Sequence, residues 1–183
     1  MNRTDWIQTY TGLRFYPFEP DPENVCIEDI AHALSLICRF GGHCKQFYSV
    51  AQHSVLVSLN CPHPLHGLLH DAEEAYIGDV CRPVKRSMIA LGSSILTNAA
   101  VGISEAIYKK LGVVWTDQQV HDVKGVDNMM LSTEARILMA GMADGTTWTS
   151  TDLFPPFDFV VAPVGPREAE RMFLDRYEEL RRI

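Results

Sequence analysis

The sequence predicts an all-α fold with a short N-terminal β-hairpin, organised as one domain over residues 1–183. Apolar residues recur at helical spacing in most of the chain after residue 27. Strand-like patterning is confined to the first twenty residues and to 157–161. A chain of this length can bury about 70% of the surface that its unfolded form exposes, so one sizeable core is expected.

The first elements are a hairpin and a helix. Aromatic, Thr and Gly residues between Trp6 and Phe18 are followed closely by Pro17, Pro20 and Pro22, which predicts a short hairpin and then an irregular loop. From Ile27 the apolar residues follow a helical period until Gly41 and Gly42, which are expected to end that helix.

The next two helices carry most of the polar residues of interest. Residues 49–59 repeat the helical pattern, and His53 lies on the apolar stripe, so its imidazole is expected to point inward and to need a partner. A further helix is predicted over 64–76, opened by Pro62 and Pro64 and stopped by Gly78. Its polar side chains are unusually dense for so apolar a segment: His66, His70, Asp71, Glu73 and Glu74.

Three more helices complete the predicted fold. They are expected over 93–111, over 117–139 with a capping box of Thr116 and Gln119, and over 166–182 as an amphipathic helix docked on the core. Between the last two, residues 141–165 hold Gly, Thr, Pro and aromatic residues without a helical period, and long ordered loops of this kind are often functional.

Composition narrows the classes of function. The net charge of −7 argues against nonspecific nucleic-acid binding, so a phosphate substrate would have to be met by local cations. No window approaches the ~20 apolar residues of a membrane span, and the start lacks a signal-peptide pattern, so a cytoplasmic protein without a membrane partner is expected. Five cysteines form no CxxC pair, which favours reduced thiols that are mostly small core residues.

The adjacent pair His70 and Asp71 suggests a metal site. Neighbours on a helix point about 100° apart, so other helices must complete the shell, and His53 and Asp127 can supply a second imidazole and a second carboxylate. Such a shell suits Zn²⁺, Co²⁺, Mn²⁺ or Fe²⁺. The alternative is a chance dipeptide and a hydrogen-bonded core histidine.

The segments SVAQHSV, GLLHDAEEAYIGD and VDNMM resemble, in order and spacing, the metal-binding pattern of the HD superfamily of phosphohydrolases. The stretch HDAEEAYIGDVCRPVK is highly specific, and the chain is most similar to a subgroup of bacterial 5′-deoxynucleotidases and phage dATP triphosphohydrolases. This resemblance implies an HD-domain helical bundle, a small-molecule deoxynucleotide substrate and a homo-oligomer. It covers residues 31–127 or more.

The resemblance also implies roles for individual residues. The implied metal ligands are His53, His70, Asp71 and Asp127, with Mg²⁺ as a further ion on the phosphates. Glu74 falls on the acidic residue that orients or deprotonates the attacking water, and Asp79 on a second acidic residue near the site. The implied substrate-binding residues are Arg39, Lys85 and Lys124 for phosphate, Phe40 and Pro83 for sugar or base, and Gly42, which leaves room near the base.

Spacing supports some of these roles, although each has a plain alternative. Glu74 is four residues after His70 and so lies one helical turn away on the same face, whereas a solvated glutamate, as expected for Glu73, is the alternative. Lys124 lies one turn before Asp127, where a surface salt bridge would explain it equally well.

Other candidates carry less weight. Arg39 follows an apolar helix, where a cation that interacts with the helix dipole is common. His66 is four residues before His70, a chelating distance, but its position does not match a ligand of the subgroup. His43, in a Gly-rich turn, is expected to be a solvated loop histidine.

The function expected from these observations is hydrolysis of dNTPs to deoxynucleoside and triphosphate, because three cations exceed what a monophosphate requires. The alternatives are a 5′-deoxynucleotidase acting on dNMPs and a catalytically silent nucleotide-binding module. The segment FGGHCKQFY departs from the Trp-containing loop of the deoxynucleotidases, so base preference stays open.

Overall fold

The computed structural model describes residues 5–141, 148 and 153–182 and is mostly helical, with one antiparallel hairpin among these residues. Strands β1 (Ile7–Gln8) and β2 (Arg14–Phe15) pair with Ile7 opposite Phe15. Phe15 is buried and stacks on Tyr76, so the hairpin closes over the helical core. The expected mostly helical fold with an N-terminal hairpin is confirmed.

The α-helices defined within the described residues are α1 (Ile27–Leu36), α2 (Val50–Asn60), α3 (Pro64–Leu69), α4 (Glu74–Ile77), α5 (Arg82–Ala90), α6 (Ile95–Leu111), α7 (Asp117–Leu138) and α8 (Pro166–Arg181). Short 3₁₀ turns span Pro22–Asn24 and Arg39–Gly42. The predicted capping box opens α7. The Thr116 side chain accepts from the backbone amide of Gln119, and the Gln119 side-chain oxygen accepts from the backbone amide of Thr116.

Helix α2 is central to the packing, with α1, α3, α7 and α8 around it. Helix α8 contributes Ala169, Phe173 and Tyr177 from one face to the main hydrophobic cluster. A smaller cluster of Tyr48, Leu138 and Val161 joins the end of α7 to the segment before α8. The burial of His53 on α2 between these two clusters matches its predicted inward direction.

Helix α1 ends earlier than its apolar pattern predicted. It stops at Leu36 rather than at the glycines, because the backbone after it pairs with the start of α2. The amide of Arg39 donates to the Tyr48 carbonyl, and the amide of Val50 donates to Ile37. Gly41 instead belongs to the following 3₁₀ turn.

The single helix predicted over 64–76 is wrong, since it is broken into α3 and α4. The His70 ring Nδ1 bonds the Gly67 carbonyl at 2.8 Å, which is the acceptor that a continuous helix would offer to the Asp71 amide. Through the break the backbone uses bonds of three-residue spacing, such as Glu74 to Asp71. The break therefore coincides with the metal-ligand candidates.

Other expectations also needed correction. Helix α5 was missed, and 157–161 forms no strand although all five residues are described. The five cysteines are free, but only Cys61 is buried, so the expectation of mostly core thiols is wrong. Of the predicted functional loop, residues 142–147 and 149–152 lie outside the described residues. None of the described helices combines the length and apolarity needed to cross a membrane.

Candidate metal centre

Three predicted ligands converge from separate helices. His53 on α2, His70 at the end of α3 and Asp127 on α7 place their ligand atoms within 4.8 Å of one another. The two imidazole Nε2 atoms are 3.3 Å apart, and Asp127 Oδ1 lies 3.4 Å from His53 Nε2 and 3.9 Å from His70 Nε2.

The hydrogen bonds on the far side of each ring fix which nitrogen is free. His53 Nδ1 is 2.6 Å from Glu134 Oε1, and His70 Nδ1 is 2.8 Å from the Gly67 carbonyl. Because a carboxylate and a carbonyl only accept, both Nδ1 atoms donate, and the two Nε2 atoms face each other. Two nitrogens each about 2.0–2.1 Å from one ion would be about this far apart, so the residues fit a divalent cation.

Asp71, predicted as a fourth ligand, lies near the two imidazoles. Its Oδ2 lies 3.2 Å from His70 Nε2 and 3.7 Å from His53 Nε2. Burial by itself would lower the pKa of His70, but the charge of Asp71 and the bond to Asp127 raise it well above its usual value. The cluster thus attracts positive charge, although the ligand role of Asp71 stays a prediction.

A glycine permits the approach of the two histidine helices. A Cβ on Gly67 would lie 3.2 Å from the Ser58 Cα and 3.2 Å from the Cys61 Cβ, so a larger residue would require a shift of a few tenths of an ångström between α3 and α2. The same residue offers its carbonyl to His70. The absence of a side chain at Gly67 therefore favours the close approach of α3 to α2, and the backbone carbonyl at this position orients the His70 ring.

Glu134 is the main site residue that the sequence reasoning missed. It is fully buried and accepts hydrogen bonds from His53, from the Tyr48 hydroxyl at 2.7 Å and from Arg39 Nε at 3.1 Å. Burial alone would raise the pKa of Glu134, but the charge of Arg39 and then that of His53 lower it. A carboxylate of this kind orients a ligating histidine and increases its basicity.

Arg39, predicted to contact phosphate, is buried and turned toward this carboxylate. Its Nε and NH2 both lie 3.1 Å from Glu134 Oε2, while NH1 is 3.7 Å from Asp71 Oδ2. Arg39 is therefore not a cation that interacts only with the α1 dipole, because its guanidinium forms a buried ion pair with Glu134. Only the NH1 edge of Arg39 faces the candidate metal centre.

Replacing Glu134 by glutamine should weaken binding of Mn²⁺ or Co²⁺ about 10- to 100-fold, since a neutral amide no longer fixes or polarises His53. Metal titration below the variant's melting temperature measures this effect, because loss of the charge also leaves Arg39 buried without its partner. The exposed Glu105→Gln on α6 serves as control. Unchanged affinity in folded Glu134→Gln would contradict the role.

Glu74 lies beside the cluster and is 4% exposed. Its Oε1 accepts from Lys85 Nζ at 3.2 Å, and its Oε2 has no hydrogen-bond partner among the described residues. Burial, followed by the charges of Asp71 and Asp79, raises the pKa of Glu74 to about 9, against the opposing charge of Lys85. A cation in the cluster would lower that pKa toward the ionised range.

Glu73 is not the solvated side chain that was expected. It is only partly exposed, and its Oε2 is buried without a partner among the described residues. Burial, then the charge of Asp71, raises the pKa of Glu73 to about 7. The break between α3 and α4 explains the error, because it turns both neighbouring glutamates away from solvent.

Among the residues that the structure describes, three cationic side chains lie next to the carboxylates of Asp127 and Glu74. Lys124 Nζ donates to Asp127 Oδ2, as its spacing suggested, and remains 58% exposed. Lys85 is paired with Glu74. Arg82, which the sequence reasoning did not select, brings its NH2 to 3.7 Å from the same Asp127 oxygen.

The residues predicted at the sugar and base lie on the adjoining surface. Phe40 holds a left-handed backbone at φ 59°, an uncommon conformation for a bulky residue, and its ring centroid is 6.0 Å from that of Trp148. Gly42 has φ +79°, and no atom lies within 4 Å of a Cβ built there, in agreement with the expected room. Pro83 is exposed in the first turn of α5.

The two discounted histidines lie outside the cluster of ligand atoms. His66 Nε2 is 2.9 Å from the Val114 carbonyl, and its ring packs edge-on against Trp115. His43 is exposed at the end of the 3₁₀ turn.

Fold and site together define a mostly helical protein with a candidate centre for one divalent cation. The chain is 37% identical to the uncharacterized protein YfdR of Escherichia coli (strain K12) over 178 residues, which cover 96% of this chain and 95% of that protein. It therefore belongs to the YfdR family. It is also 36% identical over 94 residues to the uncharacterized protein RCAP_rcc00048 of Rhodobacter capsulatus, covering 45% of this chain and 48% of that protein. No protein-family model matches the chain.

Proposed function

We propose that this protein is a metal-dependent phosphohydrolase of the HD superfamily that hydrolyses deoxynucleotides, with dNTPs preferred over dNMPs. One observation carries the proposal: two imidazole Nε2 atoms 3.3 Å apart, each with its Nδ1 engaged, beside the carboxylate of Asp127. This arrangement is unfavourable without a shared positive charge. The buried carboxyl of Glu74 adds a proton acceptor, and Lys85 beside Glu74 and Lys124 beside Asp127 add the positive charge that phosphoryl transfer needs.

His53, His70 and Asp127, with Asp71, would hold the cation. When bound, a divalent cation lowers the pKa of a coordinated water molecule and polarises a phosphoryl oxygen. Two imidazoles and two carboxylates suit Zn²⁺, Co²⁺, Mn²⁺ or Fe²⁺.

Glu74 accepts the proton of the attacking water in this proposal. Its buried position keeps bulk solvent from it, and Lys85 holds one carboxylate oxygen, which leaves Oε2 for the water. Water oxygen forms a bond to the α phosphorus while the bond from that phosphorus to the 5′ oxygen breaks. The 5′ oxygen takes the proton that Glu74 accepted, and the products are deoxynucleoside and tripolyphosphate.

The preference for triphosphates rests on exposed positive charge beyond what a monoester needs. Replacing Lys124 by alanine should lower kcat/KM for dATP much more than for dAMP, because a lost contact to distal phosphates matters only where those phosphates exist. The ratio of the two kcat/KM values is the observable, and the exposed Lys109→Ala on α6 is the control.

Product analysis by ion exchange tests the proposed reaction itself. With dATP, deoxyadenosine and intact tripolyphosphate should appear together, without dADP or dAMP. Release of orthophosphate from dAMP alone, with dATP untouched, would replace this function by that of a 5′-deoxynucleotidase.

A further inference from the structure

Helix α5 lies over the metal centre without burying any of its residues, Arg82 to Ala90. Among the described residues, this helix contacts the site through charged side chains. Lys85 pairs with Glu74 at 3.2 Å, and Arg82 approaches Asp127 at 3.7 Å. Charge, rather than apolar packing, therefore positions the first turn of this helix.

Arg82 is held in a defined orientation. Its NH1 donates to the side-chain oxygen of Asn128 at 3.0 Å, and Asn128 is itself only 7% exposed. The guanidinium has five N–H donors, and these two contacts leave others without a partner among the described residues, on a side chain that is 35% exposed. A fixed guanidinium plane with free donors is suited to a phosphate group.

The two carboxylate oxygens of Asp127 face different groups. Its Oδ1 faces the two imidazoles, whereas its Oδ2 receives both Lys124 and Arg82. A cation bound at Oδ1 would withdraw charge from the carboxylate and so weaken its hold on both side chains. Both side chains are partly exposed, so their donors are then available to an incoming anion.

We propose that Arg82 and Lys124 form a phosphate-binding fork around Asp127 Oδ2, and that Arg82 contacts the same distal phosphates of the substrate as Lys124. This inference rests on the proposed function. It assigns a binding role to a residue that neither motif spacing nor the HD resemblance singled out.

Equilibrium dialysis tests the fork with metal-loaded protein in a Glu74→Gln background, where the nucleotide stays intact. Adding Arg82→Gln should weaken dATP binding about 10- to 100-fold, the scale of a lost charge-assisted hydrogen bond. Binding of dAMP and metal content should change little. Arg82→Lys should recover part of the affinity, and Arg86→Gln, exposed one turn later on α5, should have no effect.

Each other outcome overturns the inference. Equal weakening of dATP and dAMP together with lost metal would make Arg82 only a support for Asp127, and unchanged dATP affinity would remove it from the site. Hydrolysis by the wild-type protein separates these results from failure of the proposed function. If the wild type consumes dATP while Arg82→Gln binds it normally, only the fork is wrong.

Discussion

Replacing His70 by alanine should eliminate stoichiometric metal and, with it, deoxynucleotide hydrolysis. The variant loses one of the three donors that lie within 4.8 Å of one another, and the donors that remain are too few to hold an ion tightly. The helical content should persist, since the ring contributes a hydrogen bond to Gly67 rather than a large part of the core. Elemental analysis and far-UV circular dichroism measure the two expectations.

Thermal denaturation gives the same prediction a readout that does not depend on turnover. A ligand at 100 times its Kd stabilises the folded state by about 2.7 kcal/mol, which for a chain of this size corresponds to about 5–10 °C in Tm. Mn²⁺ should therefore raise the Tm of the wild type but not that of His70→Ala. His66→Ala is the matched control, because its ring bonds Val114 and should leave metal binding intact. Stoichiometric metal in His70→Ala would contradict the ligand assignment.

Replacing Glu74 by glutamine should lower kcat by about 10²-fold or more, while metal occupancy changes little. Glutamine keeps the shape of the side chain, and its amide oxygen can still accept the hydrogen bond from Lys85. It cannot take a proton from water. Steady-state kinetics on protein of measured metal content gives the result. An unchanged kcat would remove Glu74 from the chemistry.

Glu73→Gln provides the control for this second prediction. Glu73 is the neighbouring glutamate with a buried carboxylate oxygen and a raised pKa, so it shares the environment of Glu74 without its contact to Lys85. Its replacement should leave kcat within a few-fold of the wild type. Equal losses in the two variants would indicate a general electrostatic effect rather than a proton acceptor.

The helices and the inward direction of His53 were accessible from sequence because periodic patterns encode them, whereas the grouping of His53, His70 and Asp127 came from the resemblance to the HD metal-binding pattern. The apolar stripe of 49–59 placed His53 inside, and Thr116 with Gln119 marked the start of α7, which carries Asp127. These signals are local. Each depends on residues within one helix and survives without knowledge of what the helix contacts.

What the sequence did not reveal depends on partners distant in the chain. Glu134 reads as one more charged residue on a long helix, although it lies two turns after Asp127 on the same face, which could have marked it. Its role comes from contacts with Tyr48, His53 and Arg39, more than eighty residues earlier. Similarly, the break after α3 arises from a side-chain bond that competes with the backbone, which helical periodicity does not encode.

The most direct test of the account is metal reconstitution of the chelator-stripped wild-type protein, followed by measurement of dATP consumption at increasing equivalents of Mn²⁺ or Co²⁺. We predict no turnover in the stripped protein and a rise in rate that levels off at one ion per chain, because His53, His70 and Asp127 enclose one position. Full turnover without metal, or no consumption of either dATP or dAMP at any metal load, would contradict the assignment of this centre as the catalytic site of a phosphohydrolase.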